Sequence, residues 1–360
     1  MNTIAHSPHA HAGITISRVM ILVMLALTPA TLYGFWLYGW PAINLWILSL
    51  FAAMTGEAFI LRLQDRAIRP VLMDGSGLLT AWLLALSLPP WAPWWIAVLG
   101  SLFAVIISKQ LYGGLGQNPF NPAMAARVML LISFPVEMTT WIAPAPLGSA
   151  HAPDWLESLA ITFGASGVHV DGMASASLLG HVKTEFTRGI DLQQALTGYY
   201  APMDALIGSR AGSLGETAVW LLLAGGLFLI YKRIITWHAP VAMLIGVFVP
   251  ALIFSAVNPA HYAGPLYHLL SGGLILGAFF IITDPVTSPN TALGQFIFGL
   301  CCGLLTWIIR TWGGYPEGVA FAVMLMNAAT PIIDHYVKPR IYGRDRNGMP
   351  LAVEPVKKEV

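Results

Sequence analysis

The chain has 360 residues, of which 56% are hydrophobic and 10% charged, with a mean hydropathy of +0.69 and a formal net charge of +1. A soluble domain carries roughly 25% charged residues, so lipid is the solvent for most of this protein. The near-zero charge leaves no nucleic-acid footprint. Runs of about 20 apolar residues are long enough to cross a hydrocarbon core. They call for bundled helices, because every backbone polar group in lipid must be paired internally.

In chain order, the opening "MNTIAHSPHAHAG" lacks the positive segment of a signal peptide, and the apolar run after it is too long for one. It reads as a short tail before a retained helix, and its His6, His9 and His11 as tail residues with metal binding as the alternative. Ten candidate spans follow, at roughly 16–38, 42–62, 74–88, 92–110, 122–143, 214–233, 238–257, 266–283, 291–310 and 318–336. The third is short, holds Gly75 and Gly77, and is stopped by Pro89 and Pro90. Adjacent Cys301 and Cys302 point about 100° apart on a helix and cannot clamp a metal alone. They read as buried thiols, with a site shared between subunits as the alternative.

Lysine and arginine mark the cytoplasmic side of a membrane protein. One set of span ends holds 14 of them, including Arg62, Arg66, Arg69, Lys109, Arg127, Lys232 and Arg233. The other set holds four: Lys183, Arg188, Arg210 and Arg310. Both termini are therefore expected in the cytoplasm, with the loop of about 70 residues after the fifth span outside.

"DGSGLLTAWLLALSLPP" (Asp74 to Pro90) resembles "LLSGGLILGAFFIITDP" (Leu269 to Pro285), with Gly77 and Gly273 each followed twelve residues on by a proline. Downstream, "YGGLGQNPFNPAMAARVML" (Tyr112 to Leu130) echoes "WGGYPEGVAFAVML" (Trp312 to Leu325); the two offsets are 196 and 200 residues. Spans three to five thus repeat as eight to ten, and a displacement of five spans inverts the second copy. Inverted repeats with Gly- and Pro-broken helices in matching places point to a site at the repeat interface. The alternative is that small residues merely permit close packing. The expected fold is all-α and integral to the membrane, about ten helices in two inverted five-helix repeats. It divides into a tail and first repeat (1–143), an outer loop (144–213), a second repeat (214–337) and a C-terminal tail (338–360).

Ionisable groups inside spans are costly and are functional candidates by default. Glu57 sits mid-span with no basic residue on its helix face, and reads as an ion or proton relay or as a satisfied structural group. Asp284, in "IITDPVTSPN", reads as a helix-cap and turn residue or as a site on the ion path. Glu317 lies in "GGYPEG", Glu137 faces the outer interface, and Arg127 snorkels or pairs with a carboxylate. Asn118 and Asn121 stand in "GLGQNPFNPA", whose two Asn-Pro steps force irregular backbone. Such backbone at membrane depth survives only beside protein or a water-filled cavity. No phosphate-binding loop, dinucleotide fingerprint or triad spacing occurs.

"GGLGQNPFNPAM", "GSLGET", "HLLSGGLILGAFFIITDPVTSP" and "WGGYPEGVAFAVMLMNA" closely resemble the D subunits of Rnf complexes. That family is homologous to the B subunits of Na⁺-translocating NADH:quinone reductases and, more distantly, to urea channels; the length and short tail look more like the Rnf branch. The resemblance covers all ten spans. It implies a flavoprotein of a bacterial inner membrane, one of several Rnf subunits that exchange electrons between ferredoxin and NAD⁺ and move Na⁺ or H⁺. It also implies FMN joined through its phosphate to a hydroxyl side chain by a flavin transferase that uses FAD. The attachment motif of the family is similar to Asp, two variable residues, Ser or Thr, Gly, Ala and an accepting Thr. Here Asp171 and Ala176 match, Ala174 and Ser175 replace the Ser or Thr and the Gly, and Ser177 stands at the acceptor position, with Ser175 as the alternative acceptor. A serine hydroxyl is competent for the phosphoester. Some relatives also hold a non-covalent riboflavin. A solute channel, or the quinone-reductase homologue, remains the rival reading.

Overall fold

The computed structural model describes residues 15–164, 174–175, 177–196, 200–339 and 349. Helix α1 (Ile16–Tyr38) opens with Thr15 as N-cap, its hydroxyl accepting from the Arg18 N–H, and ends at Gly39 (φ +75°). Pro41 then sits in the first turn of α2 (Trp40–Leu63), where a missing N–H costs nothing. The pair forms a hairpin, with Ile21, Leu25, Phe51 and Phe59 turned outward. Apolar outer faces of this kind suit lipid, not water.

Helix α3 (Ile68–Leu72) leads into α4 (Ser76–Ser87), then α5 (Trp94–Leu102), which continues as a π turn over Phe103–Ile107. Helix α6 (Pro122–Ser133) is capped by Asn121, whose side chain accepts from the N–H groups of Ala123 and Met124. The expected span 122–143 is not one helix. It stops at Ser133 because Pro135 removes the next donor, and a short α7 (Pro135–Thr139) and strand β1 (Trp141–Ile142) follow.

The outer segment holds α8 (Trp155–Phe163), strand β2 (Ala174–Ser175) antiparallel to β1, α9 (Leu178–Thr187), α10 (Leu192–Leu196) and α11 (Pro202–Ile207). Helix α12 (Val219–Tyr231) begins five residues later than the hydropathy implies, because "SLGET" lies as loop against the end of α4, Gly215 N–H donating to the Leu86 carbonyl at 2.6 Å. Then come α13 (His238–Val257), α14 (Pro265–Leu270), the short α15 (Leu274–Leu276) with a second π turn over Gly277–Ile281, α16 (Ala292–Trp312) and α17 (Val319–Tyr336). The expected span 266–283 is thus broken at Ser271–Gly273, Gly272 taking φ +66°.

Five helical stretches are long and apolar enough to cross a membrane: Ile16–Tyr38, Trp40–Leu63, Trp94–Tyr112, His238–Val257 and Ala292–Trp312. Shorter apolar helices, among them Ser76–Ser87, Pro122–Ser133 and Val219–Tyr231, pack between them. The molecule is an all-helical, multi-pass membrane protein. Its core joins α1, α4, α6, α12 and the Leu274–Ile282 segment through Leu27, Leu84, Leu130, Leu222 and Phe280.

The bundle has two ends. At one, Ser17 reaches the Met73 carbonyl; at the other, the N–H groups of Ala145 and Leu147 bond the carbonyls of Leu37 and Trp36, beside the β1–β2 pair. Two cross-helix bonds have the same form. Arg127 donates to the Ser87 carbonyl and Asn327 to the Thr287 carbonyl; each spans 40 residues, and the second lies 200 residues after the first.

Candidate functional site

Ionisable groups inside the bundle gather at three places. Nearest the Ser17–Met73 end, Glu57 on α2 and Lys109 beyond the first π turn are both buried, and Lys109 Nζ lies 2.5 Å from Glu57 Oε1. Gln110 donates to the same oxygen at 2.7 Å, and Lys109 also donates to Ser76 Oγ at 2.7 Å. Glu57 Oε2 has no hydrogen-bond partner. The partner of Glu57 therefore comes from another element. Lys109, whose place in the chain suggested a cytoplasmic boundary charge, is 1% exposed and faces inward.

A cavity of about 90 Å³ adjoins this pair and is lined by Ser76, Lys109, Asn118, Asn121, Phe280 and Asp284. The residues singled out in "GLGQNPFNPA" and "IITDPVTSPN" thus meet in one wall. Asp284 is also a turn residue: its carboxylate accepts from the Val286 N–H and the Thr287 hydroxyl. Asn118 donates to the Phe120 carbonyl, and its amide oxygen is buried without a partner. The Asn121 N–H bonds the Asn327 side chain at 3.0 Å. Polar groups in a space of this size suit water or a small ion. Ligand pockets of about 300–1,000 Å³ are the usual home of larger molecules, so a flavin does not fit here.

At the second place, sequence reasoning missed half of the partners. Arg127 snorkels nowhere: it is buried, caps the end of α4 at the Ser87 carbonyl (2.7 Å) and lies 3.9 Å from Glu216. Arg310 is paired with Glu317 at 3.0 Å and donates to the carbonyls of His268 (2.7 Å) and Ser271 (2.9 Å), where α14 breaks. Glu317 also accepts from the backbone N–H groups of Gly273, Gly318 and Val319. Glu216 feels the charges of Glu317 and Arg310 as well as Arg127, so the two pairs form one cluster. Each arginine replaces the helical donors that a broken helix end lacks. The "GSLGET" and "IIRTWGGYPEG" segments, legible in the sequence only as family motifs or outer charge, carry the two unrecognised members.

The third place is a cavity of about 760 Å³ at the opposite end, walled by Trp141, Ser177, Lys183, Tyr262, His268 and Arg310 among others. Ser177 is the N-cap of α9, buried, with Oγ accepting from the Gly180 N–H at 3.1 Å. Lys183, half-buried, donates to the carbonyls of Tyr315 (3.0 Å) and Ile309, tying α9 to the end of α16. Burial holds its ammonium below the usual lysine range. Buried His268 Nδ1 and Arg310 Nε have no hydrogen-bond partner. Asp171, Ala176 and the histidines at 6, 9 and 11 lie outside the described residues, and for Ser175 only the backbone, paired with Trp141, is described. Cys302 is buried and Cys301 half-buried. Glu137 lies on α7, half-exposed. Among the described residues, no group of three or more His, Cys, Asp or Glu could hold a metal ion.

This arrangement sits on a chain whose residues 3–343 match the NQR2, RnfD, RnfE family. The chain belongs to that family. It is 53% identical over 346 residues to the D subunit of the ion-translocating oxidoreductase complex of Stutzerimonas stutzeri, covering 96% of this chain and 97% of the relative. The D subunit of the same complex from Halorhodospira halophila is 49% identical over 354 residues (98% and 99%). The one from Escherichia coli is 44% identical over 350 residues (94% and 98%). Family membership therefore extends over every element that builds the three polar places.

Proposed function

We propose that this chain is the D-type membrane subunit of an Rnf ion-translocating oxidoreductase, carrying FMN on Ser177. In this reading the complex passes electrons between ferredoxin and NAD⁺ and couples them to Na⁺ or H⁺ movement. The observation that carries the flavin assignment is the place of Ser177: a hydroxyl at the N-terminus of a ten-residue helix, in the wall of a cavity of about 760 Å³. The volume lies within the range of cofactor sites. A helix N-terminus favours a phosphate through its unpaired N–H groups and dipole.

When bound, the flavin supplies the electron-transfer chemistry. The residues do the rest. Ser177 Oγ, the acceptor from the Gly180 N–H, would hold the flavin through a phosphoester made by the transferase from FAD, with AMP as the other product. Lys183 and Arg310 bring positive charge to the same wall, and His268 a ring nitrogen without a partner. Trp141 and Tyr262 offer aromatic faces.

The ion path in this reading follows the interface of two inverted halves, both termini in the cytoplasm and the Ser177 cavity in the periplasm. What supports the halves is the matched pair of cross-helix bonds 200 residues apart, and the positive-φ glycines, Gly75 and Gly272, ahead of the two short helices. Glu57, Asn118, Asn121 and Asp284 line or adjoin the cavity at the cytoplasmic end. Arg310, paired with Glu317, belongs to the wall of the outer cavity. Other Rnf subunits, with their flavins and iron–sulfur clusters, are the electron partners.

The test is in-gel fluorescence and intact mass of the denatured protein, co-produced with the transferase. A flavin band and an FMN mass increment are expected, both lost in Ser177→Ala. An adduct that persists in Ser177→Ala would move the acceptor elsewhere, with Ser175 next. Wild-type protein without flavin would end the covalent reading.

A further inference from the structure

Helix α8 is inside out by the standard of a helix on a water-facing surface. Its hydroxyl face points into the protein: Ser158 and Thr162, one turn apart, are buried. Asn44 of α2 donates to Ser158 Oγ at 3.0 Å and to Thr162 Oγ1 at 3.5 Å. With successive residues about 100° apart, Trp155, Leu159, Phe163, Leu156 and Ala160 fill an arc of about 140° that holds no polar residue. Leu156 is 73% exposed, Trp155 53% and Phe163 51%. A surface helix in water does the reverse, turning its apolar stripe to the core. The neighbours of α8 fix its level. Asn44 is the fifth residue of α2, which places the contact about 6 Å inside the end of that helix at a rise of about 1.5 Å per residue. Phe163 meets Trp94, the first residue of α5, with ring centroids 6.2 Å apart. Trp36, Trp40 and Trp94 stand at this same end of the bundle and are all exposed. Tryptophan gathers at the headgroup level of membranes, and Trp155 extends the set onto α8.

We propose that α8 is an interfacial helix, lying in the bilayer surface at the β1–β2 end with Trp155, Leu156 and Phe163 against lipid. Its hydroxyls face α2, where Asn44 satisfies them away from water. The level agrees with the depth of about 5–10 Å that amphipathic helices reach at a membrane surface. Charge agrees as well. Asp154 and Glu157 are confined to the start of the helix, where the Glu157 carboxylate accepts from the Asp154 N–H at 3.1 Å, and no charged residue follows up to Gly164. Continuity selects lipid over a partner subunit as the occupant. Ile47 and Phe51, three and seven residues on from Asn44, share its face of α2 and are exposed. Helix α8 therefore caps a stripe that already faces acyl chains, and its apolar arc prolongs that surface. The segment between α7 and α12 is accordingly not all in water. The inference is independent of the flavin and ion-path readings.

The experiment is depth-dependent quenching on the full chain in phosphatidylcholine–phosphatidylglycerol nanodiscs. With Cys301 and Cys302 replaced by alanine, Leu156→Cys and Phe163→Cys are each labelled with bimane, and Thr187→Cys on exposed α9 serves as the water-facing reference. Both α8 labels should be quenched several-fold more than the reference by doxyl-labelled lipid and several-fold less by aqueous iodide. Two separate exposed positions keep the test valid if one substitution disturbs folding. Labels as open to iodide as the one at Thr187 would put α8 in water and overturn the proposal. A second measurement addresses the assembled complex: benzoylphenylalanine in place of Leu156, irradiated in native membranes. The subunit should stay free of any protein adduct, as a side chain surrounded by lipid requires. A cross-link to another subunit would assign the face to a partner protein and overturn the lipid assignment.

Discussion

At the scale of single residues, Arg310 is the clearest case of a buried charge with a structural duty. Its guanidinium holds two carbonyls at the break between α14 and α15 and neutralises Glu317. Breaking a buried pair by removing one partner typically costs about 3–5 kcal/mol, whereas an exposed pair is worth about 0–1 kcal/mol. Arg310→Met should therefore lower the thermal midpoint sharply in a size-exclusion assay. Arg310→Met with Glu317→Gln should recover part of the loss, because the stranded carboxylate is then gone. A midpoint equal to wild type in the single variant would mean that the arginine reaches water. The same logic explains why Glu57 looked unaccompanied: its partner is contributed by another helix, and helix-face counting sees only neighbours on the same one.

At the scale of elements, the α13–α16 pair shows how the bundle closes. Gly246, Gly299 and Gly303 let the two backbones meet, and a Cβ on Gly303 would overlap the Met243 carbonyl. Small residues at such crossings are a general device of membrane helices, where lipid supplies no hydrophobic drive to associate. Overpacking a tight contact costs about 1–3 kcal/mol or more, and here the obstacle is backbone that cannot rotate away. Gly303→Leu should reduce the folded fraction and the thermal midpoint, while the same change at Gly314, where a Cβ meets open space, should leave both near wild type. Equal effects at the two positions would deny the crossing its role. The two π turns belong to this scale as well. Each adds a residue to a helical turn, which advances everything after it by about 100°. The first stands immediately before Ser108 and Lys109, the second before Thr283 and Asp284.

At the scale of the whole molecule, the ends of the bundle carry different chemistry: a small cavity reached by Lys109, Asn118 and Asp284 at one, and a large cavity with Trp141, Tyr262 and Arg310 in its wall at the other. The proposed orientation puts Thr187, exposed on α9, in the periplasm, and Lys232, exposed after α12, in the cytoplasm. In a background with Cys301 and Cys302 replaced by alanine, Thr187→Cys should react with an impermeant maleimide in intact cells. Lys232→Cys should react only after the membrane is opened. The opposite pattern would invert the protein and remove the outer location of Ser177 from the flavin reading.

Composition and the spacing of apolar runs already determined that this is a helical membrane protein, and nearly where the helices lie. Ile16–Tyr38 and His238–Val257 match their expected bounds, since an unbroken apolar run in lipid has one stable backbone. The family, too, was legible from contiguous motifs; Ser177 was picked out only by a partial match to the attachment motif that the resemblance implies. Where the runs contain Pro135, "SLGET" or Ser271–Gly273, hydropathy still registers a span, although the backbone there is loop. What tertiary structure alone decided is which charges meet. Lys109 and Arg310 stand at the ends of apolar runs and read as boundary charges, but each is turned inward onto a carboxylate. Arg127 finds Glu216 across the loop that separates the two halves of the chain. Pairing of this kind depends on helix rotation, on π turns and on broken ends that leave carbonyls bare. None of these has a period that a one-dimensional pattern can carry.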